Sequence, residues 1–210
     1  MKVRVVCVSR TIGSAGVVLA KVLAEKLGFR YVDEEVIERA AAKAKLSPEE
    51  LAATERRPSV MKRLLEAIGV ADMDVVRKTM DFDYYSLRGE EPEPAPDDHR
   101  ALIRQAIHEI AEEGNAVIVA HAASMALATR DDVLRVLVTA SADVRAKRVE
   151  EVQGGDGRAV VARDDDGRAN YLKRFYGVEK ELPTHYDVVI STDKLDAERA
   201  IAALVAAARG

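Results

Sequence analysis

The 210-residue sequence holds one cysteine, Cys7, which excludes a disulfide framework and a cysteine metal cluster. Set inside an apolar run, Cys7 reads as a small core residue. Neither sign of charge dominates: 32 Lys and Arg stand against 36 Asp and Glu, for a net charge of −4 and an isoelectric point near 5.7. That balance argues against a general affinity for nucleic acid or an anionic membrane. No apolar run approaches the length that crosses a bilayer. Met1-Lys2 leads directly into the first apolar run, so no leader segment is expected and a cytoplasmic location is. Repeats of any period are lacking. What remains is globular material: 48% hydrophobic residues can bury a core, and 32% charged residues keep the chain soluble. The length suits one large domain, or a core domain with an inserted lobe.

Residues 3–27, VRVVCVSRTIGSAGVVLAKVLAEKL, organise the rest. Val3, Val5, Val6, Cys7 and Val8 fit a strand buried on both faces of a parallel sheet. Two glycines and small residues follow, and then Val18, Leu19, Val22, Leu23 and Leu27 take up helical spacing. Strand, small-residue turn and helix aim backbone N–H groups and a helix N-terminus at an anion. In P-loop enzymes a lysine in such a turn adds positive charge, and a Ser or Thr after it holds Mg²⁺. Gly16 and Val18 stand at those two positions here. The shape predicts a phosphate site from which the usual chemistry is missing.

Gly28 is placed to end the first helix, and residues 29–32 read as a short second strand. Asp33 opens a helix with Glu34 and Glu35 in its first turn and Val36, Ile37 and Ala40 on one face. Ser47-Pro48-Glu49-Glu50 is a capping box, and residues 59–80 keep helical spacing apart from a break at Gly69. Residues 81–98 hold three of the six prolines and no helical period, and read as an exposed loop. Its Phe82, Tyr84 and Tyr85 either belong to a plain linkage or close over a ligand or partner. A helix is expected over residues 99–113, a buried strand over 116–120 with His121 at its end, and a fourth strand over Val133–Thr139. Ser141 caps a helix running to about Val152. Gly154, Gly155 and Gly157 make a flexible turn before a charged helix bearing Arg158, Arg163, Arg168, Lys173 and Arg174. The last strand falls at 186–191, and an Ala-rich helix at 195–209 closes the chain. Five apolar strands alternating with helices predict an α/β fold, a five-stranded parallel sheet flanked by helices. Ligands bind such sheets at the C-terminal strand ends, which carry residues 9–16, His121 and Ala140-Ser141.

The stretches Lys21 to Asp33, Tyr31 to Arg39, Arg135 to Arg148, Arg163 to Arg168 and Tyr186 to Leu195 together resemble the nucleoside monophosphate kinases, and among them the cytidylate-kinase-like proteins. The resemblance implies a P-loop kinase-type domain over residues 1–210. Its core would be 1–45 and 99–210, with a helical and loop insert at about 46–98 and an arginine-rich lid at about 154–176. It implies phosphoryl transfer from ATP, with Mg²⁺, to a nucleoside monophosphate. Gly13, Ser14, Ala15, Gly16 and Val17 would cradle the donor phosphates, with Arg145 and Arg148 beside the donor nucleotide. Arg10, Arg163 and Arg168 would neutralise the transferring charge, and Asp33, Arg39 and His121 would face the acceptor. The partners so implied are small-molecule nucleotides, neither nucleic acid nor membrane, with a homodimer left open.

Plainer readings stand beside these. Asp33 can be a helix cap, and Arg39, Arg145 and Arg148 can solvate helix faces. Arg163 and Arg168 can rest on Asp164, Asp165 and Asp166, then swing onto phosphates as a lid closes on a hinge at Gly154, Gly155 and Gly157. The sequence also departs from the family. Val17 stands where the cytidylate-kinase-like branch often has arginine, and Ala120-His121 where many members have Gly-Arg. Ala122 stands where an acidic metal contact would be, which leaves Arg10 as the positive charge by the turn. Phosphoryl transfer rests on positioning and charge neutralisation, so weak catalysis is expected. A catalytically impaired nucleotide-binding or regulatory protein on the same fold is the alternative. A purely structural module would leave the lid arginines without purpose.

Overall fold

Short apolar runs that must bury both faces dictate the architecture. The computed structural model describes residues 2–48, 51, 97–119 and 121–210. In chain order its elements are β1 (Val5–Arg10), α1 (Gly16–Leu27), β2 (Arg30–Val32), α2 (Glu34–Ala44), α3 (Asp97–Glu113), β3 (Ala116–Val119) and α4 (Ala123–Ala126). There follow β4 (Val133–Thr139), α5 (Ala142–Gln153), α6 (Gly157–Tyr176), a 3₁₀ turn (Pro183–His185), β5 (Val188–Ser191) and α7 (Ala197–Arg209). The strands form one five-stranded sheet in the order β2-β3-β1-β4-β5, every pairing parallel.

β1 lies at the centre, and its alternation divides the core. Val5 and Cys7 pack into a layer with Val36 of α2, Ile107 and Ile110 of α3, and Leu127. Val6 and Val8 face Leu19 and Leu23 of α1 and Leu204 of α7 on the other side. Each fully buried Leu or Ile of this kind contributes roughly 1.5–3 kcal/mol. Burial also pushes the Cys7 thiol well above its ordinary range, as befits a core residue.

Several boundaries differ from the sequence reading for local reasons. Residues 97 and 98, expected in the loop, belong to the first turn of α3. β5 starts at Val188 because Asp187 turns its carboxylate onto Arg135, accepting from the backbone N–H at 2.8 Å and from Nη2 at 2.6 Å. α7 starts at Ala197, capped by Asp196, which accepts from the Arg199 N–H at 2.8 Å. α4 had no sequence signal. The helix expected over 59–80, most of the 81–98 loop with Phe82, Tyr84 and Tyr85, and the Glu49-Glu50 half of the capping box lie outside the described residues. No described helix is long and apolar enough to cross a membrane.

Candidate functional site

The turn between β1 and α1 lies at the C-terminal edge of the sheet. The Thr11 N–H donates to the Val138 carbonyl at 3.2 Å, and the Ser14 N–H closes back onto the Thr11 carbonyl at 3.2 Å. Gly13 (φ 75) and Ala15 (φ 63) take left-handed backbone, which an L side chain tolerates poorly at residue 13 for a second reason. A Cβ there would stand 2.8 Å from the Arg145 carbonyl oxygen, so glycine lets α5 touch the turn. At Gly16 a Cβ would stand 2.6 Å from the Cβ of Arg10, so the Arg10 side chain lies along the start of α1. The first N–H groups of a helix have no acceptor within it, a geometry that suits an anion. Ser14 is fully buried, and its hydroxyl finds no hydrogen-bond partner among the described residues.

Side chains hold the outer, carbonyl side of the turn. Arg168 Nη1 donates to the Arg10 carbonyl at 3.3 Å, Arg145 Nη1 to that of Ile12 at 3.5 Å, and Arg148 Nη1 to that of Gly13 at 3.0 Å. Arg145 is 5% exposed; its Nε donates to the Ala140 carbonyl at 3.0 Å, and a two-bond pair at 2.9 and 2.7 Å joins it to Asp165 of α6. Arg145 and Arg148 therefore clasp the turn and do not solvate a helix face.

The expected resting partner of Arg168 is corrected as well. Arg168 reaches past the Asp164-Asp165-Asp166 run to Glu181, with bonds of 2.7 and 2.6 Å, and to the Tyr186 hydroxyl at 3.1 Å. Arg163 lies exposed on α6. Burial pushes the Glu181 carboxyl up, but the hydrogen bonds and charge of Arg168, helped by Tyr186, outweigh it and hold Glu181 below the ordinary carboxylate range. Burial pushes Tyr186 up to about 12, which keeps its hydroxyl protonated as a donor. Gly157 is closely packed: a Cβ there would stand 2.1 Å from the Ala146 carbonyl oxygen, so this glycine seats α6 on α5. Gly154 and Gly155, with φ of 70 and 77, have open space around them.

Beyond the end of β2, Asp33 occupies the N-cap position of α2 without capping it. Its φ and ψ of −137 and −83 lie outside the extended backbone from which a cap side chain reaches its N–H. The carboxylate instead accepts from the Tyr31 hydroxyl at 3.3 Å and stands 3.8 Å from His121 Nε2. The His121 side chain is wholly buried, with Nε2 3.2 Å from the Asp33 carbonyl, to which an N–H there donates. His121 (φ 52) and Ala122 (φ 48) are both left-handed, a strain of about 1–3 kcal/mol each where β3 ends. The buried Ser9 and Ser124 hydroxyls, 3.1 Å apart, tie α4 to β1 beside them.

Arg39 is not brought to Asp33. It pairs with Glu35 and Glu113, and Arg30, the first residue of β2, bonds the same two carboxylates at 2.6 and 2.7 Å. That cluster lies where β2 and β3 begin, whereas Asp33 and His121 lie where they end. The turn fits an anion better than a metal ion. Val18, at the position of a metal-binding hydroxyl, is 7% exposed and apolar, and no group of three His, Cys, Asp or Glu is gathered among the described residues. Glu181 escaped the sequence reading, and Thr192 and Tyr186, inside the stretch Tyr186 to Leu195, were given no site role in it. A polar residue directly after an apolar strand was the available signal for Thr192; Glu181 and Tyr186 carried none.

Among solved structures, the chain is similar to an uncharacterized protein from Eubacterium ventriosum ATCC 27560, with a TM-score of 0.63, 18% identity and 97% of each chain covered. It is also similar to shikimate kinase from Bacteroides thetaiotaomicron, with a TM-score of 0.53, 18% identity and 95% of each chain covered. At such identities the likeness is one of fold, that of the P-loop kinases. No curated protein matches the sequence. The family described as the cytidylate kinase-like family matches residues 5–194, from the first residue of β1 to beyond β5, and the chain belongs to that family.

Proposed function

We propose that the protein transfers a phosphoryl group from ATP to a nucleoside monophosphate, slowly, at the turn between β1 and α1. Family and fold support a kinase-like function on a nucleotide or other small molecule. The observation that carries the finer reading is a backbone anion cradle, with its carbonyls clasped from outside and Arg10 lying along the α1 N-terminus. In this reading the turn N–H groups and the Ser14 hydroxyl hold donor phosphates, Arg10 offsets charge in the transition state, and Asp33 with His121 faces the acceptor nucleotide. An acceptor phosphate oxygen attacks the terminal phosphorus of ATP, the bond to the bridging oxygen breaks, and ADP leaves. The acceptor phosphate is already ionised and needs no general base. Mg²⁺ would arrive with ATP. α6 serves as the lid, and its opening separates Asp165 from Arg145 and Arg168 from the turn. A small-molecule nucleotide as partner and a cytoplasmic setting go with this function.

The second reading is a nucleotide-binding or regulatory protein with impaired catalysis. It is favoured by Gly16, Val17 and Val18, which bring neither charge nor hydroxyl to the α1 N-terminus. A coupled assay with ATP, Mg²⁺ and each monophosphate decides between them. Weak turnover that Arg10→Ala removes, with nucleotide binding only modestly reduced, is expected. Robust turnover surviving Arg10→Ala refutes the role of Arg10, and binding without turnover on any monophosphate selects the second reading.

A further inference from the structure

We propose that Thr192 and Asp193, just after β5, are positioning residues that set the geometry of the phosphate turn, an inference resting on the nucleotide reading of that turn. Thr192 is buried, 7% exposed. Its hydroxyl stands 3.0 Å from Arg148 Nη1 and 3.0 Å from the Ser14 carbonyl. Arginine can only donate, so the Thr192 oxygen accepts from Arg148 and its own proton goes on to Ser14. The Thr139 carbonyl, at 3.4 Å, is the more distant acceptor. Arg148 completes the clasp by donating to the Gly13 carbonyl at 3.0 Å and to the Thr192 carbonyl at 2.8 Å.

Two consecutive carbonyls of the turn, those of Gly13 and Ser14, are thus held toward α5 and β5. In a planar trans peptide the N–H points opposite to the C=O. Holding the Ser14 carbonyl outward therefore turns the Ala15 N–H inward, at the residue that enters α1 through a left-handed φ of 63. Asp193 secures the other end. Ser141 makes no capping bond with its own hydroxyl; instead its backbone N–H donates to Asp193 Oδ1 at 2.7 Å. Two adjacent residues consequently fix both the turn and the start of the helix that carries Arg145 and Arg148. Behind them the sheet is anchored by the Arg135–Asp187 pair between β4 and the residue before β5. The small residues permit the shape of the turn, and the strand end holds it.

The test compares wild type, Thr192→Val, Thr192→Ser and Asp193→Ala. Hydrogen exchange is followed over residues 9–18, and ATP and inorganic triphosphate are titrated by calorimetry. Losing the hydroxyl should speed turn exchange and weaken triphosphate binding roughly five- to tenfold, the value of a neutral hydrogen bond. Thr192→Ser should restore both, while exchange in β1 and β4 stays at the wild-type rate. Asp193 is exposed, so Asp193→Ala is expected to fold and gives an independent reading: faster exchange in the turn supports the coupling. Unchanged turn exchange in Thr192→Val and Asp193→Ala overturns the proposal. So does faster exchange spread evenly over the sheet, or a serine variant that restores nothing. If wild type binds neither ATP nor triphosphate, the nucleotide reading falls, and the exchange data alone decide the role of Thr192 and Asp193.

Discussion

Replacing Glu181 by glutamine should destabilise the protein through a single ion pair. Glu181 receives two bonds from Arg168, at 2.7 and 2.6 Å, and a third from the Tyr186 hydroxyl. The two side chains are 22% and 21% exposed, between the surface and the interior. Exposed pairs contribute about 0–1 kcal/mol, and breaking a buried one costs about 3–5 kcal/mol. Discounted for the exposed fraction, and because glutamine keeps one acceptor, the loss is about 2 kcal/mol. For a chain of this size that lowers Tm by roughly 4–8 °C, readable by calorimetry or circular dichroism. A double-mutant cycle with Arg168→Met isolates the pair, and coupling below about 0.5 kcal/mol would refute the reasoning. The pH dependence has a definite sign. Glu181 has a lower pKa folded than unfolded, so its contribution is complete above the ordinary value of 4.5 and is lost as pH falls through the depressed one. Wild type should therefore lose stability faster than Glu181→Gln below that value, and the gap between them should narrow. Parallel curves would also count against the pair.

Two further outcomes separate close packing from hinge action and binding from scaffolding. Gly157→Ala should disturb the α5–α6 contact, because its Cβ meets a backbone carbonyl, while Gly155→Ala costs only left-handed strain of about 1–2 kcal/mol. Equal Tm values for the two variants would contradict this. Arg39→Ala should leave monophosphate affinity unchanged, since its guanidinium is committed to Glu35 and Glu113. A large drop in calorimetric affinity would return Arg39 to the acceptor site.

The sheet was legible because burial on both faces leaves a plain mark: β4 matches its apolar run, Val133–Thr139, residue for residue. The turn was legible too, since Gly13 and Gly16 answer to backbone conformation and close approach. Side-chain partners were not. Arg39 follows Asp33 by six residues, about 9 Å along a helix at 1.5 Å per residue, and α2 carries it toward the edge where β2 begins. Spacing alone cannot say which strand edge a helix runs toward. The partner of Arg168, Glu181, lies beyond the end of α6, where no periodicity relates the two. Asp33 looked like a cap by residue type, yet capping depends on the φ and ψ that tertiary packing imposes.

How charge is spent around the turn bears on the rate it can support. Arg145 and Arg168 each face a carboxylate, Asp165 and Glu181, so each pair adds little net field at the phosphate position. Arg148 is spent on carbonyls and a hydroxyl, which orders the turn. For Arg168 to grip a phosphate it must give up Glu181, and one anion then replaces another at small net gain. An interaction made equally with the bound substrate and the transition state improves binding and leaves the chemical step unaided. Backbone dipoles behave the same way unless charge grows where they point. On the proposed reading, binding at the turn should therefore outlast fast chemistry. Fast transfer, by contrast, would need stabilisation that exists only in the transition state, which these paired arginines do not supply.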